Sequence, residues 1–248
     1  MLMVATILIT GAGRGVGAAL AVRFARAGWR VLATCRDPAS ADELDALSRE
    51  AQVQGCSTVE KLALDVGDFD AVEALGRRLQ GVPIDVLLLN AAATGGEVGD
   101  FGRTDYAAWD RCHRINTQAP MKLAETFVEQ VAASQRRVMF AISSRVGPAP
   151  GYGHVGYRAS KSALNQVMFQ LALVLRARGI SCAAAHPGYV ATRATGYAGA
   201  MTPAQSADAL FAIVDRLDLS QTGQFFDPDG SVLPLVTQQL AAKPYSKR

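Results

Sequence analysis

Short apolar runs alternate with longer amphipathic segments along the whole chain. Residues 5–9, 30–34, 57–64, 84–89, 137–142, 181–185 and 224–226 have the length and apolar character of strands. Between them, apolar residues recur at helical spacing near 15–27, 39–53, 68–80, 105–133, 155–178 and 203–217. Several of the strand-length runs are apolar at successive positions, as strands covered on both faces are. The alternation predicts an α/β fold: a Rossmann-type, doubly wound parallel sheet of about seven strands with helices on both faces, in one domain. No internal repeat, low-complexity tract or linker interrupts it. Glycines gather in two loops, 94–105 (Gly95, Gly96, Gly99, Gly102) and 188–202 (Gly188, Gly196, Gly199).

Composition agrees with this pattern and removes some alternatives. The chain has 248 residues, half of them in the hydrophobic class, which suits a single domain with a large core. The net charge is +3 with the basic residues scattered, so neither nucleic acid nor an anionic membrane is an expected partner. Cys35, Cys56, Cys112 and Cys182 form no Cys-x-x-Cys pair and read as unpaired thiols of a reducing compartment. Residues 1–10 lack the charged leader and cleavage pattern of a signal peptide, and no stretch is long enough to span a membrane. A soluble cytoplasmic protein is expected.

Candidate chemistry begins with Tyr157 and Lys161. They stand four apart at the start of the 155–178 segment, so a helix places both side chains on one face. A phenol is ordinarily protonated at neutral pH, and a neighbouring ammonium favours the phenolate and lowers its pKa. Such a tyrosine can give a proton to a carbonyl oxygen and recover it in the reverse reaction. A plain surface Tyr–Lys pair has the same spacing, and the rest of the chain decides between them.

Thr10-Gly11-Ala12-Gly13-Arg14-Gly15-Val16-Gly17 follows the first predicted strand and opens the first helix. Glycines there let the backbone turn tightly and approach a pyrophosphate. The helix N-terminus offers free N–H groups and a positive dipole end. A dinucleotide site is therefore expected. The second strand ends at Thr34-Cys35-Arg36-Asp37, where NAD-binding folds place an acidic residue on the ribose 2′-hydroxyl. Cys35 cannot take that role. Arg36, joined by Arg14, suits a 2′-phosphate, so NADP(H) is the expected cofactor. An inward-turned Asp37 would instead select NAD(H).

Later strand ends carry further candidates. Asp65 either accepts from an adenine amino group or caps the helix that begins near Gly67. Asn90 is placed to fix its strand end, and the small residues after it leave room for a cofactor. Asn116 lies four residues before Pro120, which has no N–H, so in a helix the Asn116 carbonyl loses its i+4 donor. That marks either a proton-relay water or a simple kink. Ser144, at a strand end, either polarises a substrate carbonyl or only caps the strand. No Gly-x-Ser-x-Gly elbow surrounds it, which argues against a hydrolase nucleophile. Pro187-Gly188 forms a rigid turn beside the same end of the sheet, and Thr192 is placed to bond a nicotinamide carboxamide.

In order and spacing, Thr10-Gly11-x-x-x-Gly15-x-Gly17, Asp65, Asn90-Ala91, Asn116, Ser144, Tyr157-x-x-x-Lys161 and Pro187-Gly188 with Thr192 resemble the short-chain dehydrogenase/reductase family over essentially the whole chain. The resemblance implies that Tyr157 is the general acid/base. Lys161 lowers its pKa and binds the nicotinamide ribose, Ser144 orients the carbonyl, and Asn116 supports a water relay through its backbone. It also implies cofactor contacts from Gly11, Gly13, Arg14, Gly15, Val16, Gly17, Arg36, Asp65, Val66, Asn90, Ala91, Tyr157, Lys161, Pro187, Gly188, Val190 and Thr192. Two departures stand out. Ala92 replaces the family's usual glycine, so its backbone must avoid φ > 0 or accept strain. The loop after Thr192 is shorter than in many members.

Residues 33–38 and 223–230 are similar to the carbonyl-reductase branch that includes sniffer-like and C-factor-like proteins. The expected activity is thus NADPH-dependent reduction of a small ketone or aldehyde. Apolar faces of the 105–133 and 155–178 helices suggest a homodimer or homotetramer. An NADP(H)-binding sensor with little turnover is the alternative, against which the complete Asn116, Ser144, Tyr157 and Lys161 set argues. The chain past Thr192 is too short for the substrate domain of a sugar-nucleotide dehydratase or epimerase. His113, His154 and His186 show no metal-ligand spacing, and His154 lies about one turn before Tyr157. Tyr152, Tyr189, Tyr197 and Met201 are candidates for the substrate wall, and Arg193 for an acidic substrate or for water.

Overall fold

The computed structural model describes residues 4–94, 102, 104–148 and 154–234. Its centre is an eight-stranded sheet in the order β3-β2-β1-β4-β5-β6-β7-β8. The strands are β1 (Thr6–Ile9), β2 (Arg30–Cys35), β3 (Val59–Ala63), β4 (Val86–Leu89), β5 (Val138–Ile142), β6 (Ser181–Ala185), β7 (Phe225–Phe226) and β8 (Val232–Leu233). Every neighbouring pair is parallel except β7 with β8. The order reverses direction between β1 and β4, which opens a crevice at the C-terminal strand ends. All seven expected strands are present. The eighth is a two-residue antiparallel return that pairs Phe225 with Leu233, too short to leave a periodic signal.

Strand side chains alternate between the two faces, and each face carries its own core. Ile7, Ile9, Val31, Val86, Leu88 and Phe140 pack against α1 (Gly15–Arg26) and α7 (Pro203–Arg216). Leu8, Leu32, Leu87, Leu89 and Met139 pack against α3 (Phe69–Arg78), α5 (Ala119–Ala132) and α6 (Val155–Leu175). The two remaining helices are α2 (Asp42–Val53), packed on α1, and α4 (Tyr106–His113), packed on α6. This double burial accounts for strands that read as unbroken apolar runs rather than alternating ones.

The 105–133 segment departs from a uniform helix. A π-helical turn over Arg114–Gln118 joins α4 to α5, with Pro120 in the first turn of α5. It coincides with the stretch where Pro120 withholds a donor from the Asn116 carbonyl. The 155–178 segment ends in a 3₁₀ turn, Arg176–Arg178, stopped by Gly179 at φ +71°. Ala92 is not among the non-glycine residues with positive φ, so it avoids the strain its methyl could have brought.

The strand starts are tied together by one carboxylate. Buried Asp85, just before β4, accepts from Thr6 N (2.9 Å), Gln135 N (3.3 Å) and Arg136 N (3.2 Å). Asp85→Ala leaves those donors without an acceptor and should lower the unfolding free energy by about 2–4 kcal/mol. Urea denaturation checks this: the midpoint should fall with the slope unchanged.

Candidate active site

The site is assembled along the C-terminal ends of β1, β4, β5 and β6. Two hydrogen-bonded knots hold it. In the first, Thr10 Oγ1, directly after β1, accepts from Asn90 N (3.0 Å) and Ala91 N (3.1 Å). The Asn90 Nδ2 returns the tie by donating to Thr10 O (2.9 Å) and Gly11 O (3.0 Å). Both amide protons of Asn90 are thereby used, and its role is to lock two strand ends rather than to react. The glycine loop lies so close to this knot that side chains are excluded. A Cβ on Gly11, whose φ is +65°, would stand 2.7 Å from Ala91 Cα. One on Gly17 would collide with the Gly11 carbonyl oxygen and the Asn90 amide.

The second knot surrounds the start of α6. Lys161 is 2 % exposed, and its Nζ donates to Ile142 O at 2.7 Å. Burial pulls its pKa down from 10.5 to about 8, opposed weakly by Cys112. Tyr157 sits one turn earlier on the same face, with Lys161 Nζ 5.8 Å from its ring centroid. Its phenol stands beside the Ser144 hydroxyl. Desolvation pushes the phenol's pKa above its ordinary value, while the nearby Ser144 hydroxyl pulls it down. The direction is opposite to the lowering expected from Lys161. The physical reason is that the ammonium is directed at the Ile142 carbonyl rather than at the phenol, and the half-buried phenol is partly desolvated.

Asn116 is fully buried in the π turn, and its side chain is fully engaged. Oδ1 accepts from Ala93 N (2.8 Å), and Nδ2 donates to Ala93 O (2.8 Å), with Ser160 Oγ at 2.9 Å and Cys112 Sγ at 3.2 Å. Ser160 Oγ in turn donates to Tyr157 O at 2.7 Å. Thr117 Oγ1 donates to Ser160 O at 3.1 Å, and Ser143 Oγ reaches Asn165 Oδ1 at 2.6 Å. Cys112, Ser143, Ser160 and Thr117 carry no role in the sequence reading, and Thr10 enters it only as part of the glycine motif. The i, i+4 spacing of Cys112 and Asn116 and the place of Ser160 between Tyr157 and Lys161 were the only local signals for them.

The remaining expected cofactor residues lie at or just beyond the strand ends. Thr192 reaches back over the glycine loop, its methyl group 3.4 Å from where a Cβ on Gly15 would lie. Val190 and Val66 are buried, and Pro187 and Gly188 are half-buried after β6. Gly13 backs onto Cys35, whose Cβ lies 3.1 Å from a built Cβ. Arg14 and Arg36 are exposed beside the loop. Asp37 does not turn inward: its carboxylate accepts from Ala39 N (3.0 Å) and from Ser40 Oγ, capping its own turn. Asp65 accepts from Gly67 N at 2.9 Å, a local turn, and the N-cap of α3 is Asp68 instead.

The outer wall is only partly visible. Tyr152 and most of the 94–105 loop lie outside the described residues. Tyr189 and Tyr197 are exposed, and Met201 packs on Gly188. His154 is exposed and begins α6 in the left-handed region, φ +48°. His113 stacks on Trp109, with ring centroids 6.3 Å apart, and burial pushes His186 down to about 4. Arg193 is exposed. Among the described residues, no group of three or more His, Cys, Asp or Glu could hold a metal ion, and no helix is long and apolar enough to cross a membrane.

Comparison with known proteins matches this arrangement. The structure aligns with the carbonyl reductase Sniffer of D. melanogaster at a TM-score of 0.81 and 26% identity, covering 93% of this chain and 99% of that one. It aligns with an NADPH-bound carbonyl reductase from chicken fatty liver at 0.80 and 27%, covering 94% and 99%. D-erythrulose reductase of Gallus gallus is 29% identical over 235 residues, which span 94% of this chain and 89% of the relative. The family model for short chain dehydrogenases matches residues 5–202, the stretch that holds every residue of both knots. The chain belongs to the short-chain dehydrogenase family and is an oxidoreductase of that kind.

Proposed function

We propose that the protein reduces a small ketone or aldehyde to an alcohol with NADPH, through proton donation by Tyr157. The observation that carries this reading is the placing of the Tyr157 phenol beside the Ser144 hydroxyl, with buried Lys161 on the same helix face. Gly11 and Gly17 leave a cradle that a Cβ would fill, beside the N-terminus of α1, and this fits a dinucleotide. When bound, the reduced cofactor supplies the hydride.

The chain's own residues supply the proton and the geometry. Burial keeps the phenol protonated at neutral pH, so it is loaded for donation. As the substrate carbonyl carbon accepts hydride, its oxygen takes the Tyr157 proton. Ser144 is placed to hold that same oxygen, and it also favours the phenolate left behind. Lys161, at about 8, is largely an ammonium at neutral pH and stabilises the same negative charge through space. Asn116 and Ser160 hold the Tyr157 carbonyl, and with it the helix turn that aims the phenol.

NADPH is favoured over NADH because Arg14 and Arg36 flank the loop while Asp37 is committed to its own turn. The NADPH bound by the chicken reductase agrees with this choice. The 188–202 loop, through Thr192 and Met201, forms one side of the substrate space. Exposed Met121 on α5 and Leu173 and Val174 on α6 suit pairing of two copies into a homodimer or homotetramer.

Tyr157→Phe should lower kcat by about 100- to 10,000-fold and leave NADPH affinity unchanged, followed as loss of nicotinamide absorbance over a ketone and aldehyde panel. Unaltered turnover in that variant removes Tyr157 from the mechanism. A wild type that binds NADPH yet oxidises none of it across the panel supports a sensor instead. Arg36→Ala should weaken NADPH by about 10- to 100-fold while sparing NADH, and calorimetric titration of both cofactors reads the gap.

Lys161 also gives a pH signature. Its folded-state pKa is lowered, so the folded protein releases this proton before the unfolded chain does. The associated stability is present above 10.5 and is lost as pH falls toward about 8. Urea unfolding of wild type and Lys161→Met at neutral and alkaline pH should show the difference moving in favour of wild type as pH rises through that window.

A further inference from the structure

The first N–H of α1 is already taken. Gly15 N donates to Glu43 Oε1 at 3.0 Å, a bond between residues 28 positions apart. Gly15 is the first residue of α1, and Arg14 before it provides no side-chain cap. Glu43 comes from the first turn of α2 and its side chain is exposed. A carboxylate at this point satisfies a donor that the helix cannot satisfy itself and lies at the positive end of its dipole. On the other side of Gly15 stands the Thr192 methyl group. The seat between them is the one the glycine loop prepares for a phosphate.

We propose that the Glu43 carboxylate competes with the cofactor pyrophosphate for the N-terminus of α1 and thereby sets dinucleotide affinity. The inference rests on the dinucleotide reading given above. One N–H cannot serve two acceptors fully, and two anions at one helix end repel each other. Cofactor binding therefore displaces Glu43, which turns out into solvent about its own side-chain bonds while α2 stays in place. Neighbouring Asp45 does not follow it, because Asp45 is held by Lys61 at 2.7 Å. Side-chain length matters as much as charge: an aspartate at 43 keeps the charge but is one methylene too short to reach Gly15.

The test measures Kd for NADPH and NADH by calorimetry on the full chain as wild type, Glu43→Gln and Glu43→Asp, with thermal melts to verify folding. Both variants should bind both cofactors tighter than wild type: Glu43→Asp by about three- to tenfold, because it cannot reach Gly15, and Glu43→Gln by less, because it loses the charge while its amide oxygen still accepts from Gly15 N. Unchanged Kd values in both variants, beside a wild type that binds NADPH, overturn the role of Glu43 and leave the dinucleotide reading standing. Tighter binding in Glu43→Gln with wild-type affinity in Glu43→Asp also overturns it, because the effect is then charge acting at a distance. A wild type that binds neither cofactor overturns this inference together with the reading beneath it.

Discussion

A charged ammonium removed from water is tolerable only where an acceptor stands ready for it, and here the acceptor is the backbone carbonyl of Ile142. That single bond fixes the end of β5 against the first turns of α6. Ser144 follows Ile142 by two residues and Tyr157 precedes Lys161 by four, so the contact that shelters the ammonium also sets the distance between hydroxyl and phenol. Around it, hydroxyl groups do the same work without charge. Ser143 bonds Asn165, Thr117 bonds the Ser160 carbonyl, and Ser160 bonds the Tyr157 carbonyl. The result is a helix start whose backbone oxygens are held by hydroxyls, one from the π turn and one from α6 itself. Such a start holds Tyr157 and Lys161 in one fixed relation.

The dinucleotide side of the crevice is held by a different device. Four hydrogen bonds tie Thr10 and Gly11 to Asn90 and Ala91 across the ends of β1 and β4, the two strands between which the sheet order reverses. Glycines at 11 and 17 are required by what lies against them rather than by flexibility. Asn116 joins the two sides: one face of its amide binds Ala93 beyond β4, and the other binds Ser160 beside Tyr157. The start of α6 that carries Tyr157 and the glycine-loop cradle are therefore registered to each other by one buried side chain.

Most of the architecture was legible in the chain because the signals were periodic. Strands buried on both faces read as continuous apolar runs, and glycines marked the first turn. Tyr157 and Lys161 were legible because helical spacing puts them together. The partners that matter most to their titration were not, since they arise from tertiary contact. Nothing near Lys161 in the chain announces the Ile142 carbonyl, and nothing near Tyr157 announces how far burial offsets the neighbouring charge. The phenol's pKa therefore rises where helical spacing alone predicts a fall. Asp37 and Asp65 were each ambiguous from position alone, and local turn bonds account for both carboxylates in the structure.

The π turn at Arg114–Gln118 divides one long helix into two differently phased halves. An extra residue in a turn rotates everything beyond it by about 100° relative to an uninterrupted α-helix. In α4 the stripe that matters carries Tyr106, Trp109 and His113, stacked along one side. In α5 it carries Leu123, Phe127 and Val131, sunk beneath the sheet. Neither stripe can be realigned without dislodging the other. Insertions and deletions are thus barred from a surface-reaching helix that, judged by exposure alone, would be expected to accept them.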